Sequence, residues 1–229
     1  LPILTICSTC QGVMSQANKR LTDNPEYLAE INEILREENL EYKGTVVVKH
    51  LLWVMIEDIG LETVKAQFTR SLEDLRIAPF YGCYIVRASW ALGFGDHPER
   101  QTSLETLIEA VGATPVEYEG KTRCCGLPIL LINQENSVSM VAKHTSTAQS
   151  LGANAMVTPC PLCHLNLDVY QPKAAKQSGI AIHMPIIHLP QLIGLAMGFS
   201  PKQMGMERHI ISTKDVERTL EGAVAAGRR

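Results

Sequence analysis

"AMVTPCPLCH", residues 155–164, decides the fold. Its first four residues carry no charge and read as a buried strand, which runs straight into Cys160 and Cys163. A helix is expected to begin near Cys160, and Pro159 and Pro161 stiffen the turn between the two elements. Strand, turn and helix in that order form the unit of an α/β layer fold, and such folds collect ligands at the carboxyl ends of their strands. Two thiols in that position point to bound metal.

Working outward, the same build recurs. Residues 1–6 are an apolar run read as a buried strand delivering Cys7 and Cys10, and residues 77–83 are a further strand ending at Cys83. Residues 45–48 and 116–118 complete the set of expected strands. Helices are expected over residues 11–21, and over 26–38 with Asn24 as cap and Pro25 in the first turn. A short helix over 50–59 is stopped by Gly60. Thr102 and Glu105 form a capping box for a helix whose stripe is Leu104, Leu107, Ile108 and Val111 and which ends before Gly112. Residues 129–151 are mostly helical and end at Gly152. A loop with Gly93, Gly95 and Pro98 follows Cys83. Strands alternating with helices predict an α/β fold with parallel-type sheets flanked by helices.

The composition narrows the function. The 229 residues are 45% hydrophobic, enough for a real core, while a net charge of −3 and 5% aromatic residues argue against a nucleic-acid partner. No stretch reaches the roughly 20 apolar residues of a transmembrane segment; residues 51–59 and 184–199 read as packed helices. A secretory signal is missing at residues 1–6, so a cytoplasmic location is expected. The first residue is not methionine, and the chain is expected to begin inside a longer protein. Seven cysteines, an odd number, favour reduced thiols binding metal over a disulfide framework.

An internal repeat is also legible. "LTICSTCQ", residues 4–11, matches "VTPCPLCH", residues 157–164; "HLLWVMIEDIG", residues 50–60, matches "HLPQLIGLAMG", residues 188–198. Two matches in the same order suggest a duplicated unit, with residues 1–75 the back part of a first unit and residues 76–229 a complete second one. The equivalents of Cys83, Cys124 and Cys125 in the first unit would then lie upstream of Leu1.

The complete unit holds five cysteines: Cys83, the adjacent pair Cys124 and Cys125, then Cys160 and Cys163. Five thiols exceed what a zinc ion takes, and adjacent side chains serve a single tetrahedral ion poorly. Iron-sulfur clusters are held by cysteine thiolates, and a helix starting at Cys160 would aim its amides at the anionic sulfurs and raise the reduction potential. Gly126 is expected to let the backbone pass close to the inorganic core.

"YGC" at residues 81–83, "CCG" at 124–126, "CPLCH" at 160–164 and "PIIHLPQLIGLAMG" at 185–198 resemble the cysteine-rich CCG domain and carboxyl-terminal segment of the heterodisulfide reductase B-subunit family. The resemblance implies a non-cubane 4Fe-4S cluster bound by Cys83, Cys124, Cys125, Cys160 and Cys163, with one of the vicinal thiolates shared between irons. It implies an oxidoreductase subunit that passes electrons to a disulfide or thiol substrate, with iron-sulfur and flavin-containing subunits as redox partners. In the family two such clusters flank the disulfide. Here only Cys7 and Cys10 represent the first site, so a second cluster, or zinc, at these two requires upstream residues.

Two other functions fit the same residues. Related subunits occur in unusual succinate dehydrogenases and in glycolate- or lactate-oxidising complexes, which implies an electron relay with peripheral membrane contact at the inner face, through residues 51–59. The other is a zinc-stabilised assembly module. Around the cysteines, His164 reads as a helix-packing residue, or as a donor to cluster sulfur or a departing thiolate. His50 and His188 read as helix-start residues that satisfy local backbone. Arg87 reads as solvated charge or a contact for an anionic substrate, Lys121 and Arg123 as charge flanking the pair, and Glu37, Glu38 and Glu41 as an exposed helix face.

Overall fold

Among the described residues, 2–225 of this computed structural model, six strands form two sheets and every pairing is parallel. The chain runs β1 (Pro2–Thr5), α1 (Ser8–Asp23), α2 (Pro25–Leu35), β2 (Val47–His50) and α3 (Leu51–Trp53). A π-helix over Val54–Gly60 continues α3, and α4 (Leu61–Lys65) follows. Next come β3 (Arg76–Pro79), α5 (Tyr84–Arg87), α6 (Ser103–Ala110), β4 (Thr114–Pro115) and α7 (Gln134–Ser150). The chain ends with β5 (Ala155–Thr158), α8 (Pro161–Val169), α9 (Gln171–Ser178), β6 (Ile186–His188), α10 (Leu189–Ala196) and α11 (Lys214–Ala225).

The large sheet has the order β4-β3-β5-β6. Ala78, Met156 and Ile186 stand in one row of the register, and alternation of side chains sends them to the face covered by α7, α8 and α9. Their neighbours Ile77, Val157 and Ile187 point the other way and pack with Leu104, Leu107 and Ile108 of α6 and Leu192 of α10. With both faces covered, β5 is buried at all four residues, as a central parallel strand must be. This is the mixed α/β architecture, parallel sheets flanked by helices, that the sequence predicts.

The small sheet behaves differently. β1 pairs with β2 alone among the described residues, and three of its four residues are exposed. The expected burial of this strand is therefore corrected: one neighbour and uncovered faces leave Ile3 and Leu4 in contact with solvent. Leu1, with which the predicted strand begins, lies outside the described residues, as do residues 226–229 of the predicted second unit.

Several boundaries shift for identifiable reasons. β2 ends at His50, so the histidine closes the strand and opens the helix. Gly60, at φ +88°, interrupts the helix as expected, but the chain re-enters helix at once as α4. α7 starts at Gln134, where Asn133 accepts a hydrogen bond from the Asn136 amide at 3.0 Å; residues before it form a 3-10 turn. Asn24 caps α2 as predicted, through the Tyr27 amide at 3.0 Å. The capping box at α6 is not formed. The Thr102 hydroxyl donates to the Glu99 carbonyl, and the buried Tyr81 hydroxyl takes its place, accepting from the Leu104 amide at 2.8 Å while donating to the Glu105 carboxylate.

Candidate metal centre

The last strand residues deliver the cysteines. Cys160 follows β5 in extended conformation as the N-cap of α8, its amide donating to Thr158 Oγ1 at 3.3 Å, and Cys163 lies in the first turn of that helix. From β3 the chain passes Phe80, whose amide donates to the Val157 carbonyl at 2.8 Å, and Tyr81, whose amide donates to the Lys121 carbonyl at 2.8 Å. Those bonds tie the Cys83 segment to β5 on one side and to the approach of the vicinal pair on the other. Gly82 then turns at φ +70°, and a Cβ built there would stand 2.8 Å from Cys163 Sγ. Only a glycine leaves that space free.

The vicinal pair is pegged by its carbonyls. Asn166 of α8 donates to the Cys125 carbonyl at 2.8 Å, and His144 of α7 lies 3.0 Å from the Cys124 carbonyl through Nε2. Sequence reading finds neither residue; the only signal is that Asn166 stands three positions after Cys163, one helical turn along. Gly126 adopts φ +97°, but its missing Cβ faces Ser137, with the carbonyl oxygen 2.9 Å away. The expected role is thus reassigned: Gly126 clears room for α7, and Gly82 clears room beside the sulfurs.

Cys83, Cys124, Cys125, Cys163 and Cys160 come from three segments of the chain, and each perturbs the ionisation of the next in that order. Hydrogen bonds from Cys125 and Cys83 hold the Cys124 thiol down to about 2, and a bond from Cys163 brings Cys160 down to about 5. The donors move the other way: the bond to Cys124 pushes Cys125 up to about 12 and raises Cys83, and the bond to Cys125 raises Cys163. Cys83, Cys125, Cys160 and Cys163 line a cavity of about 240 Å³, together with Ser8, Thr9, Tyr84, Leu127, Pro128 and Leu162.

This donor set has recognisable relatives. A family model described as a cysteine-rich domain, CCG, matches residues 77–168, a span that encloses all five cysteines. The chain is 36% identical, over 92% of its length and 72% of the relative's, to the 8-methylmenaquinol:fumarate reductase membrane anchor subunit of Wolinella succinogenes. It is 35% identical, over 91% of its length and 70% of the relative's, to the B subunit of the ferredoxin/F420H2-dependent CoB-CoM heterodisulfide reductase of Methanosarcina acetivorans. A protein of Archaeoglobus profundus similar to the heterodisulfide reductase B subunit is 30% identical over 89% of the chain and 69% of its own length. The chain belongs to the heterodisulfide reductase B-subunit family. Among solved structures, a hypothetical protein from Helicobacter pylori shares the fold, with a TM-score of 0.65 at 17% identity. The match covers 86% of this chain and 35% of that one.

Cys7 and Cys10 of this B-subunit family member lie outside the matched span. Cys7 is buried and caps α1, accepting from the Cys10 amide at 3.5 Å; Cys10 is exposed. Burial pushes the Cys7 thiol up to about 12, with Cys160 near enough to add repulsion. The two C-x-x-C loops are held to one another by exchanged histidines. His50, which closes β2, reaches the Pro159 carbonyl with Nε2 at 3.0 Å, and His188, which closes β6, reaches the Ile6 carbonyl with Nε2 at 3.0 Å. Each carbonyl belongs to the residue just before the first cysteine of the opposite C-x-x-C. Local capping, expected for both histidines, is present at both: His50 Nδ1 accepts from the Leu52 amide, and the His188 amide donates to Gln191 Oε1 at 2.9 Å in the capping box of α10. The long-range bond is the part that sequence reading misses.

The remaining predicted residues divide cleanly. His164 packs beside His209, with ring centroids 4.7 Å apart, and beside His188 at 6.3 Å. Burial and the neighbouring imidazoles bring it down to about 4. Arg87 is exposed, and its charge favours the thiolates of Cys83 and Cys124. Lys121 binds Glu105 and Glu117, both at 2.7 Å, and is committed to holding the fold; Arg123 is exposed, 3.8 Å from Glu119. Glu37, Glu38 and Glu41 are exposed, as expected.

Proposed function

We propose that this chain is the iron-sulfur redox subunit of a heterodisulfide reductase-like complex, an oxidoreductase component that passes electrons to a disulfide or thiol substrate. A non-cubane 4Fe-4S cluster is held by Cys83, Cys124, Cys125, Cys160 and Cys163. The observation that carries this reading is that Cys83, Cys125, Cys160 and Cys163, from three separate segments, line one cavity of about 240 Å³ with Cys124 next to Cys125 in the chain, one more donor than a tetrahedral ion accepts. When bound, the cluster supplies electron storage beside iron able to take a sulfur ligand. The chain's own residues do the rest. Gly82 keeps the space beside Cys163 clear, Asn166 and His144 fix the backbone of the vicinal pair, and the amino end of α8 favours negative charge on Cys160 and Cys163. Arg87 offers a cation to an anionic substrate at the rim.

Other iron-sulfur and flavin-containing subunits supply the electrons in this reading, and the location is cytoplasmic. Residues 1–75 are the back of a first unit, whose Cys7 and Cys10 take part in a second cluster, or hold zinc, only with upstream residues. Anaerobic reconstitution tests the assignment: about four irons and four acid-labile sulfides per chain are expected. A colourless protein holding zinc alone would overturn it and favour the zinc-stabilised assembly module.

One observation favours a second reading. An apolar groove of about 690 Å³ runs between the π-helix and α10, lined by Leu51, Met55, Ile59, Ile193, Met197 and Phe199 among others. With the Wolinella relative named a membrane anchor subunit, the groove supports an electron relay of the succinate dehydrogenase or glycolate and lactate oxidase kind that docks on the inner face of a membrane. No helix among the described residues is long and apolar enough to cross one. Flotation with liposomes, with and without partner subunits, tests this; no flotation in either case removes it.

A further inference from the structure

The first unit supplies a hydroxyl to the second unit's cysteine cavity. Ser8 is 1% exposed, its Oγ has no hydrogen-bond partner, and it lines the cavity formed by Cys83, Cys125, Cys160 and Cys163. A buried hydroxyl without a partner costs free energy, and a bound group in the adjoining cavity is one thing that would satisfy it. Thr9, the next residue, places Oγ1 3.7 Å from Cys160 Sγ, so the start of α1 lies directly over the second site. α1 is a helix of 16 residues, long enough for its amino end to favour negative charge there.

Helix chemistry does not explain the serine. The cap of α1 is Cys7, whose sulfur accepts from the Cys10 amide, so Ser8 stands one residue past the position where a serine side chain would cap. At the matching position of the second loop the chain carries Pro161, the residue most suited to a first helical turn. Ser8 lacks that preference and stands in the wall of the cavity that Cys83, Cys125, Cys160 and Cys163 also line. The His188 bond to the Ile6 carbonyl at 3.0 Å fixes the loop that presents it.

We infer that Ser8 is a positioning residue for the redox centre, donating its hydroxyl hydrogen to a sulfur of the cluster held by Cys83, Cys124, Cys125, Cys160 and Cys163. The inference rests on the proposed function, because the acceptor is the cluster's own sulfur. Such a bond stabilises the more negative, reduced state and raises the reduction potential. Hydrogen bonds to charged groups are strong enough that its removal lowers the equilibrium constant for one-electron reduction about tenfold, equivalent to about 59 mV.

The test is an anaerobic redox titration of the reconstituted chain, followed by visible and EPR spectroscopy, with iron and sulfide counted and helix content checked by circular dichroism. Ser8→Ala is expected to load fully and titrate at the lower potential, and Ser8→Thr, which keeps the hydroxyl, to return toward the parent value. A fully loaded Ser8→Ala with unchanged potential and spectrum would overturn the role of Ser8 while leaving the cluster assignment standing. Loss of loading in Ser8→Ala that Ser8→Thr restores supports the hydroxyl contact; loss in both variants with native helix content overturns it. Absence of iron and sulfide from the parent chain overturns the assignment and the inference together.

Discussion

The two C-x-x-C loops have nearly the same backbone and very different surroundings. Cys7 and Cys160 adopt φ/ψ of −136°/117° and −127°/117°, and the histidines that follow, His50 and His188, adopt −75°/143° and −75°/142°. Yet β1 is mostly exposed where β5 is buried throughout, and Cys10 is exposed where Cys163 is buried. A strand, a threonine and a C-x-x-C encode the loop locally. They do not make a site. The proposed site takes two further segments, the one bearing Cys83 and the one bearing Cys124 and Cys125, which lie beside the second loop and have no counterpart beside the first among the described residues.

The sharpest way to break this contrast is to remove one sulfur from each loop. Cys160→Ser is expected to lose most of the iron and sulfide after anaerobic reconstitution, whereas Cys7→Ser keeps it; equal losses would mean that the first loop also holds the centre. A smaller effect is expected at Gly82. Gly82→Ala forces a side chain into the left-handed region and against Cys163 Sγ, at a cost of about 1–3 kcal/mol. It should lower both the denaturation midpoint and the cluster content, while a loss of stability with full loading would detach Gly82 from the centre.

The histidine exchange allows a finer comparison. His50 is fully buried and His188 only half-buried. His50→Ala leaves the Pro159 carbonyl without its partner and is expected to destabilise by about 1–3 kcal/mol, with His188→Ala costing less. Urea unfolding of both variants checks the order, and a larger loss at His188 would reverse the inferred asymmetry.

The smallest effect concerns the helices after the histidines, where Glu57 stands at the same offset from His50 as the buried Leu195 from His188. Burial opposes ionisation of Glu57, but hydrogen bonds from Arg100, both at 2.7 Å, and from Lys49 outweigh it and hold the carboxyl down at about 2, against an ordinary 4.5. A carboxylate with a lowered pKa contributes stability that is complete above about pH 4.5 and is lost as the pH falls toward 2. Glu57→Gln is therefore expected to flatten the acid limb of the stability profile in that window. An unchanged limb would show that the pair does not couple to folding.

Much of this was readable because the cysteines sit at strand ends and strand periodicity is a local signal. The run of residues 155–158, the Asn24 cap and the alternation of elements all follow from nearest neighbours in sequence. What escaped the reading depends on partners far along the chain. Tyr81 displaces Thr102 as the donor's partner at α6 because a residue 23 positions earlier folds onto the helix start. The exposure of β1 reflects how many strands flank it, which its own apolar residues do not reveal. Asn166, His144 and Ser8 are ordinary polar residues until the fold aims them at the vicinal pair and the cavity.

The exchanged histidine bonds make the separation of the two loops a fixed property of the molecule. Each is anchored at the peptide that introduces the opposite thiol, with equal 3.0 Å contacts. The two anchors pin the same pair of loops from opposite sides, so a change at either histidine is felt at the peptide in front of the other loop's thiol.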